Sequence, residues 1–250
     1  MEQTEYEWTY KLEDTHWWFV SRRRLANTLL EQQLTPGLNR FILDVGCGTG
    51  GNLDFLGRWG VAIGMDLNPL ALNYARCRNL PRLAQASGLT LPYPNNTFSL
   101  VTTFDVLYHS WITDDCQVMK ECYRVLQPAG WLLLTDAALP GLWSTHDEIY
   151  YARQRYTLDE ISQKLAEAGF KPRLCSYTNM LLLPIITMTR LVSRWFPSTN
   201  RINLQPLPAW LNQWFINIRH LETRWLRRGG ALPIGSSLVC LAQKPLGPNP

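Results

Sequence analysis

Residues 44–52 read Asp-Val-Gly-Cys-Gly-Thr-Gly-Gly-Asn, directly after an apolar run that starts at Phe41. Glycines there let a backbone come close to a ligand, and the segment that follows, read as a helix, offers free N–H groups. Asp66 closes the next apolar run, Val61–Asp66, where a carboxylate can take ribose hydroxyls. Gly46, Gly48 and Gly51 also satisfy G-x-G-x-x-G, with Asp66 near the distance a dinucleotide site requires. Asp44 argues against that pattern. It stands two residues before the first glycine, where its charge would face a pyrophosphate.

Two histidines suit general-base work. His109 follows the strand expected at Phe98–Asp105, on the edge where α/β sheets bind ligands. His146 stands beside Asp147, after the fifth expected strand. A lone histidine in such a place is also often a hydrogen-bonded structural residue, and both readings stand. Tyr108, Trp143 and Tyr156 are candidates for orienting an acceptor. Six cysteines are scattered without a C-x-x-C pair or a Cys/His cluster, so neither a disulfide frame nor a metal site is expected.

These groups need a frame. Alternating elements are expected from Phe41 onward: strands at Phe41–Gly46, Val61–Asp66, Leu83–Ser87, Phe98–Asp105 and Trp131–Asp136. Helices are expected at Asn52–Trp59, Pro69–Arg78 and Asp114–Leu126, with a turn at Gln127–Gly130. Thr157–Ala168 reads as a helix with Thr157 and Glu160 at capping-box spacing and Gly169 as its stop. Phe170–Tyr177 and Ser237–Gln243 are late strands, separated by a mostly helical stretch, Thr178–Pro233, with proline breaks. Continuous apolar strands between helices imply a parallel sheet covered on both faces.

The chain has 250 residues and a net charge of +4, too modest for a nucleic-acid surface. Arg190, Arg194, Arg201, Arg219, Arg224, Arg227 and Arg228 crowd the last quarter, with several of the 11 tryptophans. The acidic, aromatic N-terminus has no basic start and apolar run, so no secretory leader is expected, and the protein reads as cytoplasmic. The Pro-rich end, Pro245–Pro250, reads as a frayed tail.

Three segments together carry a resemblance. They are Leu91-Pro92-Tyr93-Pro94 leading into Asn95–Val101, Arg124-Val125-Leu126-Gln127-Pro128-Ala129-Gly130, and the glycine loop itself, in order across Arg40–Ala137. Together they resemble the class I S-adenosylmethionine-dependent methyltransferases of the type 11 kind. Glu13–Phe19 with Arg22 and Arg23 is similar to the H-W-W-F…R-R segment of one subgroup. Segments at Leu142–Asp147, Arg155–Thr157 and Ser176–Asn179 match it too.

The resemblance implies a Rossmann-like α/β fold: a seven-stranded, mostly parallel sheet of order 3-2-1-4-5-7-6, with N-terminal helices and a helical insertion before the last strand. It divides one methyltransferase domain, 1–250, into lid helices (1–38), a cofactor core (39–177), the insertion (178–235) and the last strand (236–244). The cofactor is then S-adenosylmethionine, with S-adenosylhomocysteine as product, and its ammonium and sulfonium make use of Asp44. Asp44, Gly46, Cys47, Gly48 and Gly50 would wrap its methionine end. Asp66 would hold the ribose, with Leu67 beside the adenine, and Ser87 and Gly88 would meet the adenine edge. Ser87 departs from the family's usual Asp, which puts that contact in doubt. Asp105 and Val106 would line the far side. Arg22 would pair with the cofactor carboxylate, or else present a basic face.

Trp17 and Trp18 would close over the acceptor as a lid, or anchor the N-terminal helix. The insertion admits three readings: an acceptor pocket, a membrane-surface patch through 180–228, or a dimer surface. The implied activity is methyl transfer to a small-molecule acceptor, on oxygen, in a sugar, lipid or secondary-metabolite precursor. The alternatives are an NAD-dependent oxidoreductase and a non-catalytic cofactor-binding or membrane-associated protein. Monomer and homodimer remain open.

Overall fold

The computed structural model describes residues 3–37, 39–80, 82–195 and 205–247. Arg201, the chain beyond Gly247 and the side chains of Arg194 and Trp195 lie outside the described residues. Two helices lead, α1 (Gln3–Leu12) and α2 (Trp17–Leu30). Then follow β1 (Phe41–Val45), α3 (Leu53–Leu56), β2 (Val61–Asp66), α4 (Pro69–Arg76), β3 (Leu83–Gln85), β4 (Phe98–Phe104), α5 (Asp115–Val125) and β5 (Leu126–Ala137). The last part runs α6 (Thr145–Ile149), α7 (Leu158–Glu167), β6 (Lys171–Thr178), α8 (Leu183–Trp195), α9 (Ala209–Arg227) and β7 (Ser237–Gln243).

The sheet order is β3-β2-β1-β4-β5-β7-β6. All neighbours run parallel except β7, which is antiparallel to both β5 and β6. This is the seven-stranded Rossmann-like arrangement that the resemblance implies. Side-chain alternation splits the core into two layers. Leu43, Val101 and Leu132 face one way, into a cluster completed by α5 and α7. Ile42, Leu100 and Leu133 face the other way, onto Leu25 and Leu29 of α2 and Leu226 of α9. The connections leave β1 and β4 toward opposite sides of the sheet, so a crevice opens between their carboxyl ends.

Three sequence expectations are corrected. The helix expected at Asn52–Trp59 is one turn, α3, because Gly57 stops it where Trp59 turns fully into the core. A helix this short supplies no anion site at its N-terminus. The turn expected at Gln127–Gly130 is part of β5. Ala129 does take the left-handed conformation a turn needs (φ 62), but Ala129 N donates to Lys244 O and Lys244 N to Gly130 O, so the ladder absorbs it as an irregularity. Finally, α6 escaped notice although Ser144 and Asp147 stand at capping-box spacing and form that box.

The two lead helices are held by directed contacts. Trp17 N donates to Asn212 Oδ1 (2.7 Å), Asn212 Nδ2 donates to Thr15 O (2.9 Å), and the Trp17 ring meets Phe215 at 5.1 Å. His16 caps α2, its Nδ1 accepting from Trp18 N (3.3 Å). That bond needs an unprotonated Nδ1, and burial pushes the imidazole down to about 4. The unfolded chain takes up this proton near pH ~6.5. Between the two values the unfolded state binds more protons, so stability falls as pH drops. The expected outcome is a melting temperature that declines from pH ~7.5 to ~5, with part of the decline removed in His16→Asn, which caps without titrating. His16→Ala should lose about 1 kcal/mol at pH ~7.5, and less relative to the parent at pH ~5, because it removes the titration together with the cap.

Candidate active site

After β1 the chain turns at Gly46 (φ 72), where an added Cβ would stand 2.5 Å from Val106 Cγ2. Gly46 N and Cys47 N both donate to Met65 O (2.7 and 2.9 Å), which pins the turn beside β2. Gly48 (φ 56) has open space where its Cβ would point, so the backbone itself faces the cleft.

Three carboxylates surround this loop. Asp66 accepts from Gly48 N through Oδ2 (2.9 Å) and from Asn68 N through Oδ1 (2.8 Å), leaving each oxygen capacity for one more donor. Asp44 sits beneath the loop, 1% exposed. Its register partner Thr102 on β4 donates Oγ1 to Oδ1 (2.6 Å), while Oδ2 has no hydrogen bond. Burial pushes this carboxyl up to about 7 against the pull of the Thr102 hydrogen bond. Glu13, just after α1, accepts from Thr49 Oγ1 (2.5 Å) and pairs with Arg78 (2.9 Å). It lies so close over the loop that a Cβ on Gly51 would fall 2.3 Å from its carboxyl carbon. Burial raises its pKa, against the Thr49 hydrogen bond.

The loop after β4 forms the opposite wall. Asp105 takes a left-handed conformation (φ 57), and Leu107 N donates to Asp136 Oδ2 (2.9 Å) from the end of β5. Arg22 Nη1 donates to Asp105 Oδ2 (2.5 Å), and its guanidinium lies 5.4 Å and 5.3 Å from the Phe19 and Phe104 ring centres. His109 lies between the rings of Tyr108 and Trp111, each 4.1 Å away. Its Nδ1 is 2.9 Å from Tyr150 O. Burial pushes this imidazole down to about 3, so it is neutral near pH 7. A carbonyl only accepts, so Nδ1 carries the proton and Nε2 is left as the acceptor nitrogen.

Between these walls lies a cleft of about 810 Å³, at the large end of small-molecule sites. Gly46, Cys47, Gly48, Asp66, Leu67, Ser87, Gly88, Asp105, Val106 and Arg22 line it, as do Trp17, Trp18, Tyr108, His109 and His146. Asp44 and Gly50 are behind the loop and off the lining, Gly50 packing toward Leu80 and Ala75. Trp143 is also off it. So is Tyr156, which is fully buried, its single hydroxyl proton lying between Leu107 O (3.0 Å) and Asp115 Oδ2 (2.7 Å) as acceptors. Ser87 Oγ accepts from Leu89 N (3.2 Å), which leaves its hydroxyl proton to donate.

The segments 145–155, 182–190 and 205–215 line the rest of the cleft, with apolar walls from Ile149, Leu182, Ile186, Leu211 and Phe215 beside polar Thr145, Thr189 and Gln205. At its floor Asp147 is held by Arg155 (2.8 Å) and Arg190 (2.8 Å). His146 opens onto the cleft, yet the protein packed around it, and then the Arg190 cation, hold its pKa below the usual range.

Residues 43–134 match the family model described as a methyltransferase domain. The chain is 30% identical over 159 residues to the phosphoethanolamine N-methyltransferase of Plasmodium falciparum, covering 58% of this chain and 60% of that protein. It is 32% identical over 133 residues to the fatty-acid O-methyltransferase of Mycolicibacterium smegmatis, covering 51% and 42%. The chain thus covers less than two thirds of either relative. A solved structure, phosphoethanolamine N-methyltransferase 2 of Haemonchus contortus in complex with S-adenosyl-L-methionine, superposes with a TM-score of 0.57 at 18% identity, over 88% of this chain and 52% of that one.

The cofactor that the matched domain implies is S-adenosylmethionine. The residues present fit it. Asp66 keeps capacity for a pair of ribose hydroxyls, and Asp44 Oδ2 is a buried acceptor without a partner. Three acids beside one glycine loop suit a cationic ligand and repel a pyrophosphate. Glu13 and Asp136 were missed by the sequence reading. Glu13 stands inside the segment quoted for its resemblance, and its meaning appears only once the chain folds over the loop.

Two measurements test this electrostatics. A ligand ammonium near the loop favours ionised Asp44. Binding of S-adenosylhomocysteine should therefore release a proton below pH ~7 and tighten as pH rises to that value. Calorimetric heats in two buffers of different ionisation enthalpy should differ for the parent chain and agree for Asp44→Asn. At the floor, Asp147→Asn leaves two cations without their carboxylate and should cost about 3–5 kcal/mol in chemical denaturation. Adding Arg190→Met should recover part of that loss.

Proposed function

We propose that the protein transfers the methyl group of S-adenosylmethionine to an oxygen of a small-molecule acceptor that carries an apolar portion, a lipid or lipid-like precursor. The observation that supports this best is the division of one cleft: carboxylates and a bare glycine backbone on one side, aliphatic and aromatic walls on the other. The fatty-acid O-methyltransferase among the relatives supports an apolar oxygen acceptor. With this reading go two further parts of the proposal: the division of the chain into lid helices, core, insertion and last strand, and a cytoplasmic location.

The bound cofactor supplies a methyl group already activated by its sulfonium. The chain's own residues bind, align and exclude water. Asp66 holds the ribose and Gly48 gives the backbone room. Glu13, tied to Thr49 and Arg78, closes the N-terminal helices over the loop. Trp18 stands with Phe19 and Arg22 on the cleft wall, while Trp17 also braces α2 against α9. His109 presents Nε2 as the acceptor for a hydroxyl proton. Its low pKa makes it a weak base, so alignment of acceptor and methyl group carries most of the rate. His146, beside the Asp147 clamp, is the second such group.

The test is calorimetric binding of S-adenosylhomocysteine, with NAD alongside. Micromolar binding (about −8 kcal/mol), lost in Asp66→Ala, is the expected result. Preference for NAD overturns the reading. Transfer of labelled methyl groups to a panel of fatty acids, hydroxylated lipids and sugars then tests the acceptor. His109→Ala should lower kcat by about 10²-fold if Nε2 takes the proton. Full turnover in both His109→Ala and His146→Ala would leave alignment as the whole of catalysis.

A further inference from the structure

Helices α8 and α9 are built inside out. The buried stripe of α9 holds Arg219, Glu222 and Thr223 beside Ile216 and Leu226. Its outer face holds Trp210 (72% exposed), Trp214, Leu221 and Trp225. A helix facing water shows the reverse. The same inversion governs α8, whose Arg190 turns inward to Asp147 (2.8 Å). Outward it shows Ile185, Met188 (69% exposed), Leu191 and Val192. Among the described residues, nine of the fourteen large exposed apolar side chains lie between Leu181 and Trp225. The apolar surface is therefore concentrated on these two helices. It also runs into the cleft, because Ile185, Ile186, Leu211 and Phe215 line the cavity.

We propose that the outer faces of α8 and α9 dock the protein on the surface of an anionic lipid bilayer, with the cleft mouth turned toward the lipid. Charge selects this occupant. Arg224, Arg227 and Arg228 are exposed at the end of α9, around Trp225. The one carboxylate on either helix, Glu222, is buried. The face thus offers aromatic rings and cations without an exposed acid, the combination that suits an anionic headgroup layer. A second copy of the chain is disfavoured on the same ground, since a two-fold contact would set this face against itself with no acid to meet its arginines. Among the described residues no helix is long and apolar enough to cross a membrane, so the contact lies on the surface. Docking would deliver an acceptor of the class proposed above, and only that consequence rests on the methyl-transfer reading.

The experiment is flotation of the full chain, without cofactor or acceptor, on vesicles of phosphatidylcholine alone and with phosphatidylglycerol. The expected result is binding to the phosphatidylglycerol vesicles that weakens as salt rises. The variant Met188→Gln/Trp210→Gln/Trp214→Gln should weaken it about ten-fold or more. Each of Arg224→Gln, Arg227→Gln and Arg228→Gln should weaken it about five-fold. S-adenosylhomocysteine binding, measured separately, should stay at the parent level in all of them. That separates loss of docking from loss of fold or cofactor site. No binding to anionic vesicles, or equal binding to both kinds, overturns the proposal. So does a dimer in light scattering that the triple variant abolishes, which would assign the face to a second copy.

Discussion

The site depends on the divergence of the chain between β1 and β4. Neighbouring parallel strands whose connections leave toward opposite faces cannot close their carboxyl ends, and the crevice there is where side chains and backbone can meet a ligand. The register of that pair sets Thr102 against Asp44, so a hydroxyl supports a buried acid below the glycine loop. The turn at Gly46 needs a left-handed backbone and has no room for a side chain against Val106, so the same residue shapes both walls. Asp136 ties the β4 loop from β5, and Asp105 holds Arg22 from α2. The two halves of the cleft are thereby referred to one sheet edge.

Carboxylates gather where the ligand is cationic, and burial raises Asp44 and Glu13 toward the neutral form. Such a site stores unfavourable desolvation that a bound cation relieves. Elsewhere on the cleft a carboxylate is set against two guanidiniums instead. Asp147 between Arg155 and Arg190 fixes α6 and α8 to the core and leaves the wall above it apolar. One cleft thus holds an electrostatic half and a hydrophobic half. The inversion of α8 goes with the same clamp and that of α9 with the buried Arg219–Glu222 pair: their polar residues turn inward and their apolar residues lie outside.

Much of the fold was legible. Strands β2 and β7 match their expected bounds, and the strand order follows from the resemblance. Thr157 caps α7 through Glu160 N (3.2 Å), as its spacing suggests. The failures have local causes. Gly57 cut α3 short, and the turn at Ala129 was absorbed by pairing with the chain at Lys244. Tyr156 looked like a pocket residue beside Arg155, but its hydroxyl is committed to Asp115 and Leu107 in the core. No pattern in a single sequence reports that commitment, because both partners lie about forty residues or more away along the chain.

The sequence by itself determined the alternation of strands and helices, the glycine loop and the acids at the ends of β1 and β2. Each of these is a property of a few consecutive residues: hydrophobic period, backbone freedom, caps. Tertiary structure decided which of those residues reach the cleft. It placed Glu13 over Gly51, joined Arg22 to Asp105 and set Asp147 between two arginines from different segments. It also decided which face of α9 meets water: the Arg219–Glu222 pair (2.7 Å), with Asn179 N and Leu181 N on Glu222, is buried, and three tryptophans lie outside. Those choices turn on desolvation and long-range pairing, which sum over the folded chain and leave no mark on local spacing.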